Sequence, residues 1–317
     1  MDDAKQLTIF GAGLAGLIAA RMLIERKPVI LEQKDKLPNN HHALLRFRSD
    51  AVGEATNIPF RKVSVSKNVI QDAGSNQIRN AVIYSRKVSG MIHSRSVMDL
   101  STVDRYIAPK DLVARLASTA DIQYGKDFLG WSSNLIKPHG PVISTIPVPV
   151  MMEMFKWKDA VKFSNRAGWT IKASINPDLD CKLNATIYSA RSSDIWYRAS
   201  VTDDHLMIEG AGSESIDADQ CLDILNSVVG HFGLMYGDLT TFACHGNAYQ
   251  KISDLSVSDR ESVKRFVMWL SNRHQIYSLG RFATWRPKLL LDDLVNDVRV
   301  IARLIDGESS YQETIRG

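Results

Sequence analysis

Hydrophobic and polar positions change their period several times along this chain, and each change predicts an element. Leu7, Thr8, Ile9 and Phe10 form a nearly unbroken apolar run, as in a strand buried on both faces. Leu17 to Leu23 suits a helix that Pro28 ends, and Val29 to Leu31 makes a second strand. The stretch "KLPNNHHALLRFRSDAVGEATNIPF" then loses its periodicity, and a loop of that length inside a compact domain usually serves function. Between about residues 63 and 107 the runs "VSVSKNVI", "NAVIYS" and "SGMIHS" read as short β segments. "PKDLVARLAS" reads as a helix with Pro109 in its first turn.

The second half continues in the same way. "GPVISTIPVPVMMEMF" combines a β-rich run from Val142 to Ile146, a turn at Pro147 and a short apolar helix. "ATIYSA", "DIWYRASV" and "HLMIEG" read as strands, the last two joined by the turn "TDD". "DADQCLDILNSVV" places Cys221, Leu222, Leu225, Val228 and Val229 on one helix face. "SDRESVKRFVMWL" opens on a capping box from Ser258 to Glu261 and buries Val263, Phe266, Val267 and Leu270. "IYSL" is a strand that stops at Gly280-Arg281. Asp292-Asp293 then cap a helix with Leu294, Val298, Ile301 and Ile305, closed by Gly307. The expected fold is α/β: a discontinuous domain of alternating strands and helices from 1–60, 108–150 and 272–317, with a mixed or antiparallel-sheet α+β domain from 61–107 and 151–271 inserted.

Composition narrows this picture only slightly. The chain has 317 residues, room for two domains, and its 44% hydrophobic and 23% charged content is that of an ordinary globular protein. No apolar run reaches the roughly 18 residues of a membrane span. The first strand begins within a few residues of Met1, so the expectation is a cytoplasmic chain without a secretory leader or membrane contact. Cys181, Cys221 and Cys244 are odd in number and scattered, which suits free thiols in a reducing compartment. They form no metal cluster with the eight histidines. A net charge of +4 fits an anionic ligand and permits nucleic acid without arguing for it.

The candidate chemistry begins at the first turn. Gly11, Gly13 and Gly16 have the spacing G-x-G-x-x-G: the first permits the tight turn, the second lets a pyrophosphate approach, and the third lets helix and strand pack closely. Ala12, Leu14 and Ala15 complete this loop and helix start, whose amides and dipole face the phosphates. Glu32, 21 positions after Gly11, ends the second strand with Gln33 beside it, where a carboxylate accepts the ribose 2′- and 3′-hydroxyls. An acid there repels the 2′-phosphate of NADP, which leaves NAD and FAD. A glycine-rich turn in an ordinary α/β domain would leave Glu32 unexplained. Arg46 and Arg48 alternate within the irregular stretch. They read either as a solvated basic edge or as contacts to phosphate or substrate, and Arg46 is counted with the cofactor site.

The stretch from Ile276 to Gly307 decides between the two cofactors. A strand, then glycine-arginine, then an acid-capped helix is not part of an NAD site. Gly280 lets the backbone approach a cofactor, Arg281 serves a pyrophosphate or flavin edge, and the helix start carries positive potential for a reduced flavin. "GAGLAGLIAARML…VILEQ" and "YSLGRFATW…DDLVNDV" together resemble the FAD-dependent amine oxidase superfamily, which includes UDP-galactopyranose mutases. "VISTIPVPVMMEM" is similar to that superfamily's strand-turn-helix before the substrate domain, and "IWYRASV" to a strand of its substrate sheet. The resemblance implies a Rossmann-type FAD-binding oxidoreductase. Gly11, Gly13, Gly16 and Glu32 would hold the ADP half of FAD, and Gly280, Arg281, Asp293 and Leu294 would lie along the pyrophosphate, ribityl chain and flavin ring. Two features depart from it. "NNHHALLRFRS" replaces the glycine-rich arginine motif, and the histidine-glycine loop of the mutases is not recognisable.

Arg198 and Tyr249 are the catalytic candidates. By strand alternation Trp196 and Arg198 share a face and Tyr197 takes the other. An arginine among aromatics can hold a carboxylate or phosphate over the flavin; the alternative is one solvated and one packed face. Tyr249 in "HGNAYQKI" resembles the aromatic that family members bring towards the flavin, or is a loop-core tyrosine. His93 and His245 read chiefly as structural or surface residues, and Trp285 as a core residue or a neighbour of the ring. The expected reaction is hydride transfer to FAD from the C–N bond of an amine or amino-acid-like small molecule. One alternative is a redox-neutral, UDP-galactopyranose mutase-like enzyme. Another acts on modified bases in DNA: compact size and the segments "RFRS", "IPFRK", "YSRK" and "HSRS" are similar to bacterial-virus flavoproteins that remodel thymine side chains. A last alternative is a binding protein that kept the fold without flavin.

Overall fold

Two sheets organise the chain, and the computed structural model describes residues 6–37, 46–92, 96–127, 140–212 and 216–307. In chain order the first half contains β1 (Thr8–Phe10), α1 (Leu14–Met22), β2 (Val29–Leu31), β3 (Arg46–Phe47), α2 (Ala51–Thr56), β4 (Arg61–Gln71), α3 (Gln77–Ser89), β5 (Val103–Ile107), α4 (Leu112–Ala117), β6 (Asp121–Gln123) and β7 (Val142–Ser144). The second half contains α5 (Val148–Met154), β8 (Asn165–Ile175), β9 (Asn184–Ala190), β10 (Trp196–Thr202), β11 (His205–Ala211), α6 (Ala218–Val229), β12 (Leu239–Ile252), α7 (Val257–His274), β13 (Ile276–Ser278) and α8 (Leu291–Ile305).

β6, β2, β1, β7 and β13 lie side by side in that order, all parallel. From central β1 the chain winds outward through β2 and β6, then returns to the other side through β7 and β13. The winding reverses between β1 and β7, and open α/β sheets bind ligands in the crevice beyond the carboxyl ends at such a point. Ile9, Ile30 and Ile143 join one core with α1, α2, α4 and α8. Phe10, Leu31, Val142 and Ile276 join a second core with α5 and α7. Burial on both faces is why these strands read as unbroken apolar runs. The α7 residues Val263, Phe266, Val267 and Leu270 pack in this second core, although the sequence boundaries grouped that segment with the substrate domain.

The second sheet runs β12-β8-β11-β10-β9-β4-β5-β3, antiparallel except for the pair β4–β9. α6 covers one face through Cys221, Leu225 and Val228, against Ile171, Ile187, Ala199 and Ile208. α3 covers part of the other through Ala81, Tyr84 and Val88, against Tyr188 and Tyr197. Between β8 and β11 the Trp169 indole lies across Gly210, where a Cβ would come within 1.9 Å of the ring. The α/β architecture expected from the sequence, a Rossmann-like domain with a mixed-sheet α+β unit inserted, is therefore present.

Three local expectations are corrected. "NAVIYS", read as β from its Val, Ile and Tyr content, lies in α3, because Ala81, Tyr84, Ser85 and Val88 are buried at helical spacing. Asn76 caps that helix by accepting the Arg79 N–H at 2.9 Å, and Gly90, at φ +73°, closes it inside "SGMIHS". α7 is capped by Ser256, which accepts the Asp259 N–H at 3.1 Å, not by Ser258. Of the two aspartates opening α8, only Asp293 caps, accepting the Leu290 N–H at 2.8 Å. Asp292 instead accepts the Ser49 N–H (2.9 Å) and Oγ–H (3.0 Å), tying the segment after β3 to α8.

Candidate cofactor and substrate sites

The three glycines of the β1–α1 turn differ in what they do. Gly11 has φ +94°, and a Cβ there would lie 2.3 Å from Thr145 Oγ1. A Cβ on Gly16 would lie 2.0 Å from Gly11 O, so the helix packs on its own turn only if this residue is glycine. Gly13 has φ −71° and ψ 173°, which any residue adopts, and nothing lies within 4 Å of where its Cβ would be. Its smallness serves the space outside the turn. No side chain caps α1, so the N–H groups of Leu14, Ala15 and Gly16 bring the helix's partial positive charge to that space.

Glu32 stands beside the same turn. Its Oε2 accepts the Ala12 N–H at 2.6 Å and its Oε1 accepts the Lys34 N–H at 3.0 Å. Each carboxylate oxygen has further acceptor capacity, and the side chain is half-buried. Gln33 is exposed next to it.

The distant Gly280 reaches this place. It has φ +97°, and a Cβ there would sit 3.3 Å from the Cβ of Ala15 at the start of α1. Arg281 turns its Nε and Nη2 donors onto Leu289 O, at 3.0 and 2.7 Å. It is half-buried, makes no ion pair among the described residues, and burial lowers its pKa. A half-buried cation without a carboxylate, an uncapped helix start beside open space and an acid with spare acceptors fit the pyrophosphate and ribose of a dinucleotide. Leu294 lies 2% exposed in the core with Leu14, and Asp293 is engaged as the α8 cap. Trp285 is a core residue: its ring meets Phe163 at 4.6 Å between centroids, and its Nε1 donates to Ser253 O at 3.0 Å.

The second sheet carries a row of chemistry on the α3 side. His245, Thr170, Glu209, Arg198 and Tyr188 are direct cross-strand partners on β12, β8, β11, β10 and β9, so they share one face. Ala243, Lys172, Met207, Ser200 and Thr186 form the next row. Arg198 donates through Nε to Glu209, whose other oxygen accepts Tyr197 Oη–H at 3.3 Å. Lys251 Nζ donates to the same tyrosine oxygen at 2.6 Å. The side chain of Glu209 is 9% exposed and that of Arg198 36%, so the pair is anchored at its acid and open at its arginine. Burial disfavours both charges. Their mutual attraction outweighs it, holding Glu209 below the usual carboxylate range and raising Arg198 above its ordinary value. The hydroxyl of Thr170, wholly buried between His245 and Glu209, has no hydrogen-bond partner among the described residues.

Alternation does not separate Tyr197 from Arg198. A β-bulge between Trp196 and Arg198 puts Trp196 in the α6-side core and brings Tyr197 and Arg198 together around Glu209. Arg46 lies on this sheet too. Its guanidinium donates to Thr186 Oγ1 and Thr202 Oγ1, both at 2.8 Å, and to the carbonyls of Ala185 and Val201. Burial and the nearby Arg198 charge lower its pKa to about 10. Arg48 is exposed. Tyr249 on β12 pairs with Gly168 on β8, its side chain lying outside the described residues, as does His93 altogether. Glu209, Lys251 and Thr170 escaped the sequence reading. A signal for Glu209 existed: pairing Thr202 with His205 across the Asp203-Asp204 turn sets Arg198 opposite Glu209.

Solved structures share this architecture over almost the whole chain. Reduced UDP-galactopyranose mutase superposes with a TM-score of 0.64 at 15% identity, covering 98% of this chain and 96% of that one. A protein assigned as protoporphyrinogen oxidase from Exiguobacterium sp. 255-15 gives 0.60 at 11% identity, covering 96% and 99%. p-Nitrophenol 4-monooxygenase PnpA from Pseudomonas putida DLL-E4 gives 0.53 at 10% identity, covering 97% and 82%. The chain therefore has the fold of the FAD-dependent flavoproteins, one that carries mutases, oxidases and monooxygenases alike. No protein-family profile and no curated protein sequence matches it.

Proposed function

We propose that this chain is an FAD-dependent oxidoreductase that oxidises the C–N bond of an amine, one bearing a carboxylate as amino-acid-like molecules do. One observation carries the cofactor assignment: Gly13's open space and the uncapped start of α1, with Gly280 close to Ala15, lie at the point where the parallel sheet reverses its winding. Glu32 holds the adenosine ribose there, while the α1 amides and Arg281 hold the pyrophosphate. FAD bound there supplies an acceptor for a hydride pair of electrons. Arg198, fixed by Glu209 and open on its outer side, binds the substrate carboxylate and orients the molecule. No helix among the described residues is long and apolar enough to cross a membrane, and no group of side chains there suits a metal ion.

Anaerobic mixing with a panel of amines and amino acids tests this reading. An amino-acid-like compound bleaches the flavin absorbance, and Arg198→Met lowers kcat/KM for it by about 100-fold, mostly through KM, corresponding to about 2.7 kcal/mol. Simple amines that bleach the flavin equally well in both proteins would contradict the role of Arg198.

A second reading keeps the chemistry and places the amine on a base in DNA. It draws on one strip of surface. In "FKWKDAVKF" the exposed Lys156, Lys158 and Lys162 make no ion pair among the described residues, and the half-buried Phe155 and Trp157 alternate with the first two, packed on Trp269. Cations interleaved with aromatics suit a nucleic-acid strand. The basic segments singled out in the sequence contribute less: Arg61 pairs with Asp203, Lys62 with Asp104, and Arg46 is absorbed by the sheet. On this reading DNA binding falls steeply with salt, and replacing the three lysines by glutamine flattens that slope by up to about 3 log units per log unit of salt. Binding that is salt-independent or unchanged in the triple variant would count against it. The mutase-like alternative differs in needing no electron acceptor at each turnover.

A further inference from the structure

We propose that Lys87 is a positioning residue for Arg198: its ammonium pins the β-bulge that turns the arginine toward substrate, so binding of the substrate carboxylate depends on Lys87 carrying its charge. The inference rests on the reading of Arg198 as the carboxylate anchor. Trp196 is held in the α6-side core, and strict alternation would carry Arg198 to that side as well. The extra residue between them brings Arg198 to the α3 side, beside Tyr197 and Glu209. Whatever fixes this bulge therefore fixes the direction of the arginine.

Lys87 on α3 is placed to do so. The pairing of β9 with β10 ends at Tyr188 opposite Arg198. Beyond that point Lys87 Nζ bridges the two strands, donating to Trp196 O at 3.2 Å and to Ser189 O and Oγ at 3.4 and 3.1 Å. Trp196 O belongs to the peptide that enters the bulge. Three acceptors match the three N–H donors of an ammonium, whereas a neutral amine has two and lacks the charge that strengthens them. Ser189 donates in turn to Asp194 in the β9–β10 turn. Tyr84, one helical turn before Lys87, meets the Tyr197 ring edge-on at 6.0 Å, so one helix face holds both the bulge and its extra residue.

Two carboxylates favour the Lys87 charge: Asp194, and Asp72 just after β4, which accepts the Ser192 N–H at 3.3 Å and Oγ–H at 3.0 Å. The other titratable groups around α3 are Tyr188, Tyr197, the mutually paired Arg198 and Glu209, Lys251 on the Tyr197 hydroxyl, and Arg166 on Arg86 O. Burial outweighs the two carboxylates and lowers the Lys87 pKa to about 8. The side chain is therefore charged at neutrality, and its hold on the bulge loosens as pH rises through that value.

Two measurements on the full chain test this. At pH 7, amide exchange at Tyr197 and Arg198 is about tenfold or more faster in Lys87→Met than in wild type, and Lys87→Arg, which keeps the charge, restores most of the protection. Lys87→Gln replaces the methionine variant if far-UV circular dichroism shows that one unfolded. The second measurement uses the panel amino acid that bleaches the wild-type flavin fastest. At pH 7 Lys87→Met raises its KM about tenfold with kcat changed by less than about twofold. The ratio of wild-type to Lys87→Met kcat/KM then falls toward one as pH rises, with a midpoint near the Lys87 pKa of about 8. Titration of the substrate's own amine is common to both proteins and cancels in that ratio. Unchanged exchange in the variant overturns the proposal at its structural step, and a ratio flat with pH overturns it at its electrostatic one. If Arg198→Met raises KM and Lys87→Met does not, the inference alone fails. If neither substitution moves KM although exchange is faster, the carboxylate role of Arg198 fails and takes this inference with it.

Discussion

Gly13→Val is expected to yield a protein that folds like the wild type but binds FAD at least about 100-fold more weakly, a loss of about 2.7 kcal/mol. The two halves of that expectation come from different observations. Folding survives because φ −71° and ψ 173° suit valine and no atom lies within 4 Å of the new Cβ. Binding fails because the added methyls fill the space through which a pyrophosphate reaches the α1 amides. Gly16→Ala gives the opposite pattern. Its Cβ would sit 2.0 Å from Gly11 O, so the thermal midpoint falls before any cofactor is considered. Calorimetry on flavin-stripped protein, with and without added FAD, separates the two. Gly13→Val with wild-type affinity would remove the pyrophosphate from this turn.

The second large effect concerns Glu209. Glu209→Gln leaves Arg198 without its counter-charge and weakens the hydrogen bonds of a buried tyrosine that also receives Lys251. Breaking a buried ion pair at one partner costs about 3 kcal/mol or more, and the 36% exposure of the Arg198 side chain puts this case at the lower end. Burial by itself would raise the Glu209 carboxyl, but Arg198 prevails and holds it below the range of an unfolded glutamate. The stability it contributes is therefore complete above its unfolded pKa of about 4.3 and is lost as pH falls through the lower folded value. Urea unfolding should show the full difference between wild type and Glu209→Gln near neutrality and a shrinking one in acid. A difference that stays constant down to about pH 2 would mean that the ion pair is not its source.

Where the structure agrees with the sequence, the deciding interactions are local. Gly11, Gly13 and Gly16 sit within one turn, and Glu32 closes onto the neighbouring Ala12 N–H. Strand 8–10, helix 14–22 and strand 29–31 follow one another so closely that spacing alone determines their geometry. The contact between Gly280 and Ala15 has no local signature; the sequence suggested only that both segments approach one cofactor. α3 was misread because Val, Ile and Tyr favour strands in general. Here tertiary burial of Ala81, Tyr84 and Val88 against the sheet decides for helix. The bulge at Trp196–Arg198 defeated strict alternation and hid the grouping of Tyr197, Arg198 and Glu209. Arg46 drew notice as one of two alternating arginines in the irregular stretch after Glu32, and its guanidinium lies against Thr186 and Thr202, contacts that only long-range strand placement brings about.

The central claim is that the turn at 11–16, Glu32 and the loop beginning at Gly280 form an FAD site. The most direct measurement is the visible absorption spectrum of the purified protein, followed by identification of whatever nucleotide heat denaturation releases. The two bands of an oxidised flavin, with free FAD in the supernatant at about one equivalent per chain and none from Gly13→Val, are the predicted result. A colourless protein that also takes up no added FAD would contradict the account and leave the flavoprotein fold here without its cofactor.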